Sequence, residues 1–357
     1  MTLPTHALTA SPPALAVLPT PRLSPRRRWR GAQPPSVIIT GVAGFIGSEL
    51  ALSHLRAGDS VLGIDAFTSR DPAADLKASR LEQLQQWHGF TYAHADLSNA
   101  RATVKAFERA PGALILHMAA RAGVRHPKRS EFISSNLVGF ANVLEAAVRI
   151  GAPHLLFASS SSVYGASAEP PFAPSARTDR PRSLYAATKI CGEALACAYA
   201  NEHGLNSTGL RFFNVYGPWG RPDMAPYLFT RAILEGKPIE LFDHGQGLRD
   251  FTYIEDVVRC VRALESPVTG HAPVGIPYRV YNVGTGQPVR TVYLLEVLEA
   301  VLGRRAIRRL KPAVPADMPV TAADVEELKR SIGFFPSTPI EEGLARYVHW
   351  FRGYYGC

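Results

Sequence analysis

The sequence predicts an α/β fold, a doubly wound parallel sheet with a smaller mixed α/β region toward the C-terminus, on three observations. From Ser36 onward, short β-branched or apolar runs alternate with amphipathic stretches. A glycine-rich turn follows the first run directly, and an acid closes the second. Past residue 211 the alternation gives way to irregular segments rich in Pro and Gly. Parallel strands need long crossover connections, so strand–helix alternation is the trace a parallel sheet leaves in a sequence.

Strands are read at Ser36–Thr40, Ser60–Ile64, Phe90–Ala93, Ala113–Leu116 and His154–Phe157. A helix is read at Ser48–Ala57, and another at Glu131–Arg149, where Phe132, Ile133, Leu137, Phe140, Val143, Leu144 and Ala147 recur at helical spacing. Ser183–Asn201 reads as a further helix and Ser207–Phe212 as a sixth strand. Beyond it come the Pro/Gly-rich segment Tyr216–Pro226, a helix at Tyr227–Glu235, a strand at Ile239–Phe242 and turn material at Asp243–Gly247. Later helices are expected at Thr291–Leu302, Ala322–Ile332 and Ile340–Tyr354. The expected division is a nucleotide-binding domain at 36–210 and a mainly substrate-binding region at 211–357, some of whose segments return to the first sheet.

Residues 1–35 form a basic, Pro/Ala-rich tail without Asp or Glu and without periodicity, which predicts disorder. Five of the nine net positive charges are its arginines Arg22, Arg26, Arg27, Arg28 and Arg30, which leaves +4 for the rest of the chain. The high charge therefore does not imply a nucleic-acid partner. The tail's charges follow its weak apolar stretch, Ala14–Leu18, the reverse of a secretory signal. No stretch approaches the ~18 apolar residues of a membrane span. Cys191, Cys197, Cys260 and Cys357 show no metal-ligand spacing, so reduced thiols, no structural metal and a cytoplasmic setting are expected.

The turn after the first strand is Gly41-Val42-Ala43-Gly44-Phe45-Ile46-Gly47, opening a helix. Glycines in this G-x-x-G-x-x-G spacing let backbone N–H groups approach a pyrophosphate at a helix N-terminus. Asp65, eighteen residues past Gly47, ends the second strand where an acid binds ribose hydroxyls. An acid there favours NAD over NADP, and the sheet is then Rossmann-type. Asp96, closing the third strand, is placed to meet the adenine edge. Tyr185 and Lys189 stand four residues apart, a spacing that shares one helix face and lets an ammonium lie beside a phenol. Upstream lies a run of four serines, Ser159–Ser162.

In these stretches, together with His117–Arg125, Arg211–Ala225 and Leu248–Ile254, the chain resembles the extended short-chain dehydrogenase/reductase superfamily. Within it, the chain is most similar to the UDP-glucuronate 4-epimerases, over nearly everything from Ser36 to Tyr355. The resemblance implies tightly held NAD and the catalytic set Ser160, Tyr185 and Lys189. It implies that Tyr185 takes the proton of the sugar 4-hydroxyl, that Lys189 binds the nicotinamide ribose, and that a 4-keto sugar turns over before reduction on its other face. Cofactor contacts then fall to Gly41, Gly44, Phe45, Ile46, Gly47, Asp65, Asp96, Leu97, Ala119, Ala120, Asn136, Tyr185 and Lys189. For the UDP-sugar they fall to Arg125, Ser161, Ser162, Asn214, Arg221 and Arg249, with the two last serines near a carboxylate and Arg221 and Arg249 near the diphosphate. A homodimer through the helices at 131–149 and 183–201 is implied as well.

Other readings stay open at this point. Asn214 stands where glucuronate epimerases usually carry Thr and galactose epimerases Asn, which keeps 4-epimerisation of a neutral UDP-hexose, UDP-glucose or UDP-N-acetylglucosamine, as an alternative. A non-catalytic NAD-binding protein is a further one, and the intact Tyr185/Lys189 pair speaks against it.

Overall fold

The computed structural model describes residues 34–357 apart from 68–70, 72, 124–128, 167, 267–274 and 314–317. A central sheet contains β1 (Val37–Thr40), β2 (Val61–Asp65), β3 (Phe90–His94), β4 (Leu114–His117), β5 (Leu155–Ser160), β6 (Ser207–Phe212) and β11 (Tyr278–Val283). Its order is β3-β2-β1-β4-β5-β6-β11, with every pairing parallel. The chain runs outward from β1 to β3, then restarts at β4 on the other side of β1. That reversal opens a crevice at the carboxyl ends of β1 and β4, where open α/β sheets bind their ligands.

Both faces of the sheet are buried, which is why strands such as β1, β2 and β4 read as largely apolar runs. Val37, Ile39, Val61, Leu116, Leu156 and Leu210 belong to one core, whose helices include α1 (Phe45–Arg56), α2 (Ala74–Gln85) and α8 (Ile254–Leu264). Ile38, Leu62, Ile115, Leu155 and Phe157 belong to the other, under α3 (Ala100–Phe107), α5 (Gly139–Arg149) and α6 (Leu184–His203). Alternate strand residues thus feed opposite layers.

The remaining elements build the smaller region. The two-stranded pairs are β7 (Asn214–Tyr216) with β10 (Phe251–Tyr253), and β8 (Pro238–Leu241) with β13 (Ile307–Leu310). A three-stranded sheet joins β9 (Leu248–Arg249), β12 (Val289–Arg290) and β14 (Val320–Thr321). Around them pack α7 (Ala225–Glu235), α9 (Thr291–Leu302), α10 (Glu326–Ile332) and α11 (Ile340–Tyr355).

Three differences from the periodicity reading have physical causes. Strand β11 is missing from it because Arg279 and Asn282 break the apolar run of Tyr278-Arg279-Val280-Tyr281-Asn282-Val283 without setting up a strict alternation, and it occupies the edge beside β6. The helix expected at Ala322–Ile332 begins only at Glu326. The backbone groups of the preceding residues are recruited elsewhere: Ala322 O accepts from Phe172 N (2.8 Å), and Ala323 N donates to Asp250 Oδ2 (3.0 Å). The helix expected at Glu131–Arg149 is interrupted: α4 (Arg129–Ile133) passes through a wide π-type turn at Ser134–Val138 into α5. All four cysteines are free thiols.

Candidate active site

The loop Gly41–Gly47 leaves the carboxyl end of β1 and enters α1 with Gly44 at its N-cap. Gly41 adopts φ +68°, and a Cβ there would stand 2.7 Å from the Ala119 backbone beyond β4. At Gly47 a Cβ would stand 2.3 Å from Gly41 O. Both glycines exist because backbone lies where a side chain would be. Gly47→Ala is accordingly expected to deform the loop and weaken NAD binding at least about 10-fold while the sheet stays folded; calorimetric titration with NAD checks this, and unchanged affinity would remove the loop from the cofactor site.

Asp65 ends β2 and turns back on the loop, its Oδ2 accepting from Ala43 N (3.0 Å). Burial raises its pKa, against the countering pull of Lys77 and that N–H. Asp96 lies two residues beyond the end of β3, exposed, its Oδ1 accepting from Ser98 N and Oγ. Leu97 is buried beside it, packed close to Gly139 at the start of α5. Ala119 and Ala120 follow β4, and Thr40 Oγ1 accepts from Ala119 N (3.3 Å). The glycine cradle, the α1 N-terminus and the strand-end acid fit a dinucleotide.

Tyr185 is in the first turn of α6, capped by Ser183, whose Oγ accepts from Ala186 N (3.1 Å). Its hydroxyl faces Ser160 at the end of β5, close enough for Ser160 to act on its pKa. The Ser160 hydroxyl also accepts from Ser162 N (3.2 Å), within the short turn Ser161–Tyr164 that carries Ser161 and Ser162. Lys189 Nζ lies 5.9 Å from the centre of the Tyr185 ring and donates to Ala158 O (2.7 Å). Burial raises the Tyr185 pKa, while Ser160 and the Arg221 charge act to lower it. The i, i+4 spacing leads one to expect Lys189 to favour the phenolate; in the protein by itself burial dominates, and the lowering influences are Ser160 and Arg221. Lys189 is pulled down to about 8 by burial, against the charge of Glu193.

Asn136 does not cap a helix or face solvent. It sits in the π-type turn, buried, with Oδ1 accepting from Arg121 N (2.8 Å) and Nδ2 donating to Arg121 O (3.0 Å) and Thr188 Oγ1 (3.1 Å). The loop after β4 is thus tied to the helix bearing Tyr185 and Lys189, and an inserted turn residue at such a place is a common mark of a functional site. Asn214 opens β7 directly beyond β6, its N–H donating to Asp250 O (2.9 Å). Arg221 forms a two-pronged pair with Asp223 (3.0 and 2.6 Å). Its influence on Tyr185 puts its charge near the phenol. Arg249 lies apart in β9, with Nη1 donating to Leu248 O (2.9 Å) and Pro319 O (3.3 Å). Arg125 lies outside the described residues.

Two supporting residues escape motif reading. Arg80 of α2 is buried, donating to Ala43 O (3.0 Å) of the glycine loop and to Trp219 O beside Arg221. Burial lowers its pKa to about 10. The second is Glu193, one turn beyond Lys189, which binds Arg211 of β6. A lone charged residue on an amphipathic stretch signals neither; an acid four places after the lysine is the one available hint.

These features define an α/β nucleotide-binding protein with a Tyr–Ser–Lys site at the switch point of its sheet. Residues 37–284 match the model of the NAD dependent epimerase/dehydratase family, and the chain belongs to it. It is 44% identical over 335 residues to UDP-glucuronate 4-epimerase 6 of Arabidopsis thaliana, covering 90% of this chain and 72% of that one. A probable UDP-glucuronate 4-epimerase of Rhizobium meliloti is 41% identical, over 88% and 96% of the two chains. The fold is similar to the crystal structure of the UDP-glucuronic acid 4-epimerase of Bacillus cereus in complex with UDP-glucuronic acid and NAD, with a TM-score of 0.80, 29% identity and 89% and 99% coverage.

Proposed function

We propose that the protein is an NAD-dependent isomerase that inverts C4 of a UDP-sugar, converting UDP-glucuronate to UDP-galacturonate through a 4-keto intermediate. The observation that supports this is Lys189 Nζ 5.9 Å from the Tyr185 ring on one face of α6, with the phenol facing Ser160, in a fold whose glycine loop opens α1 after β1. NAD, when bound, supplies an acceptor for the C4 hydride and returns it to the other face of the ketone. Gly41, Gly44, Phe45, Ile46, Gly47, Asp65, Asp96, Leu97, Ala119, Ala120 and Asn136 would hold it.

The chain's own groups handle the proton. Tyr185 Oη takes it from the sugar 4-hydroxyl and gives it back after inversion, so the same residue serves as base and acid. Ser160 donates to the oxygen that carries the negative charge, and the Lys189 ammonium and Arg221 guanidinium favour the phenolate. The positive charge of an oxidised nicotinamide acts in the same direction, against the burial that otherwise keeps the phenol protonated. Ser161, Ser162 and Asn214 line the sugar end as hydrogen-bonding groups, with Arg125, Arg221 and Arg249 as the cations for the anionic substrate. Residues 36–210 then serve mainly the cofactor and 211–357 mainly the UDP-sugar.

A homodimer through the helical segments at 131–149 and 183–201 is part of the same reading, supported by Ile133, Val138 and Leu184 of those segments, which leave 42%, 46% and 37% of their surface exposed. Among the described residues no helix is long and apolar enough to cross a membrane, and the free thiols suit the cytoplasm. The test is incubation with UDP-glucuronate and no added NAD, resolving the 4-epimers by chromatography. UDP-galacturonate is the expected product; turnover of UDP-glucose or UDP-N-acetylglucosamine with none of UDP-glucuronate would transfer the assignment to a neutral sugar.

A further inference from the structure

Tyr185, Lys189 and Glu193 stand at successive turns of α6, and each reaches the end of β5. Tyr185 faces Ser160, Lys189 Nζ donates to Ala158 O (2.7 Å), and Ser159 Oγ donates to Glu193 Oε1 (2.5 Å). Three consecutive strand residues are thus fastened to one helical stripe, and only the first two attachments belong to the proton-handling pair. The third continues inward. Glu193 accepts from Arg211 Nε (2.9 Å) and Nη2 (2.7 Å). Arg211 Nη1 donates to Pro174 O (2.8 Å) and Tyr164 Oη (3.1 Å), and Tyr164 donates to Asn282 Oδ1 (2.5 Å). Glu193 and Arg211 are 8% and 5% exposed, so the pair sits in low dielectric.

Apolar residues of the same volume generally stabilise such a site as well as a buried ion pair does. A carboxylate kept there one turn from an ammonium has an electrostatic consequence that apolar packing lacks. We propose that Glu193 is a positioning residue of the reaction: through Ser159 and its place one turn beyond Lys189 it locks the serine strand against α6 and holds the lysine as an ammonium beside Tyr185. The groups facing Lys189 agree. His117, across β4, is buried and held neutral, its pKa lowered to about 3 by burial and by Lys189 itself, so it supplies no compensating charge. Among the described residues, Glu193 is the one that counters the burial of Lys189, which still lies at about 8.

The inference rests on the reading of Tyr185 and Lys189 as the catalytic pair, and the experiment separates the two. Burial lowers the Lys189 pKa to about 8, so kcat is expected to show an alkaline limb near that pH as the ammonium is lost. Glu193→Gln is expected to move that limb to lower pH by roughly one unit and to cut kcat about 10-fold on the alkaline side, with KM and bound NAD within about two-fold. Glu193→Asp, which restores the charge, returns most of the shift. A limb that coincides with wild type in Glu193→Gln reduces Glu193 to a packing role and overturns the proposal, whatever happens to kcat. Should Glu193→Gln fail to fold with Arg211 unpaired, the double variant Glu193→Gln/Arg211→Met, which leaves no unpaired buried charge, decides: a limb shifted in the same direction supports the inference, and an unmoved one overturns it. Lys189→Met serves as the separate control. Turnover retained in that variant sinks the catalytic reading itself, whereas an inactive Lys189→Met with an unmoved Glu193→Gln limb sinks the role of Glu193 alone.

Discussion

Tyr185→Phe is expected to lower kcat by about 10³-fold or more, near 4 kcal/mol of transition-state stabilisation, while NAD stays bound. The phenyl ring keeps the contact with Phe132, whose centre lies 6.1 Å away, so neither the fold nor the cofactor site loses packing. Only the hydroxyl that faces Ser160 disappears. Both half-reactions need that oxygen, one to accept the sugar proton and one to return it, so no step bypasses the loss. Lys189 and Ser160 remain but cannot replace it: Lys189 donates to Ala158 O, and a serine hydroxyl is a far weaker base than a phenolate. Resolving the UDP-sugar epimers gives the rate, and releasing the nucleotide by denaturation gives the NAD content. A variant that turns over within about ten-fold of wild type would remove Tyr185 from proton transfer.

The parts of this site visible in the sequence are those that local geometry demands. Gly41 and Gly47 are required by backbone that lies 2.7 and 2.3 Å from any added Cβ, and a requirement of that kind leaves glycine in the chain at fixed spacing. Tyr185 and Lys189 are legible because four residues is about one helical turn, and Val37–Thr40 because a buried parallel strand is apolar along nearly its whole length. Groups joined across the fold leave no such trace. Glu193 and Arg211 are eighteen residues apart on different elements, and nothing local distinguishes them from solvated charges. The π-type turn at Ser134–Val138 preserves the apolar periodicity on either side, so periodicity alone runs one helix through it and gives no reason for Asn136 to be buried. The pKa of Tyr185 shows the limit most clearly: spacing suggests a lowering by Lys189, but the direction depends on burial, which only the assembled crevice creates.

Asp250→Ala is expected to be the most destabilising change in the substrate-binding region, by roughly 3 to 5 kcal/mol. Asp250 is fully buried between Arg249 and Phe251, and its carboxylate accepts four hydrogen bonds. Oδ1 receives Thr285 N (2.8 Å) and Thr285 Oγ1 (2.7 Å), and Oδ2 receives Gly286 N (2.9 Å) and Ala323 N (3.0 Å). Those donors come from the loop leaving β11 and from the strand-like stretch after β14, so one side chain closes the seam between the main sheet and the smaller region. Alanine leaves three buried N–H groups without a partner, and each unpaired donor costs its full desolvation, about 1–3 kcal/mol. The Asp250→Asn variant keeps one acceptor oxygen but turns an NH₂ group toward two of the donors, so it is expected to recover less than half of the loss. The effect also reaches the substrate. Asp250 O accepts from Asn214 N (2.9 Å), and Arg249 precedes it in the chain, so a displaced Asp250 carries both away from the sugar and phosphate positions proposed for them. KM for the UDP-sugar is therefore expected to rise more than the dissociation constant for NAD, whose glycine loop makes none of the hydrogen bonds to the Asp250 carboxylate. Urea denaturation checks the first part and the two binding constants the second; an Asp250→Ala protein with the wild-type midpoint would show that water satisfies these donors and that the seam is held elsewhere.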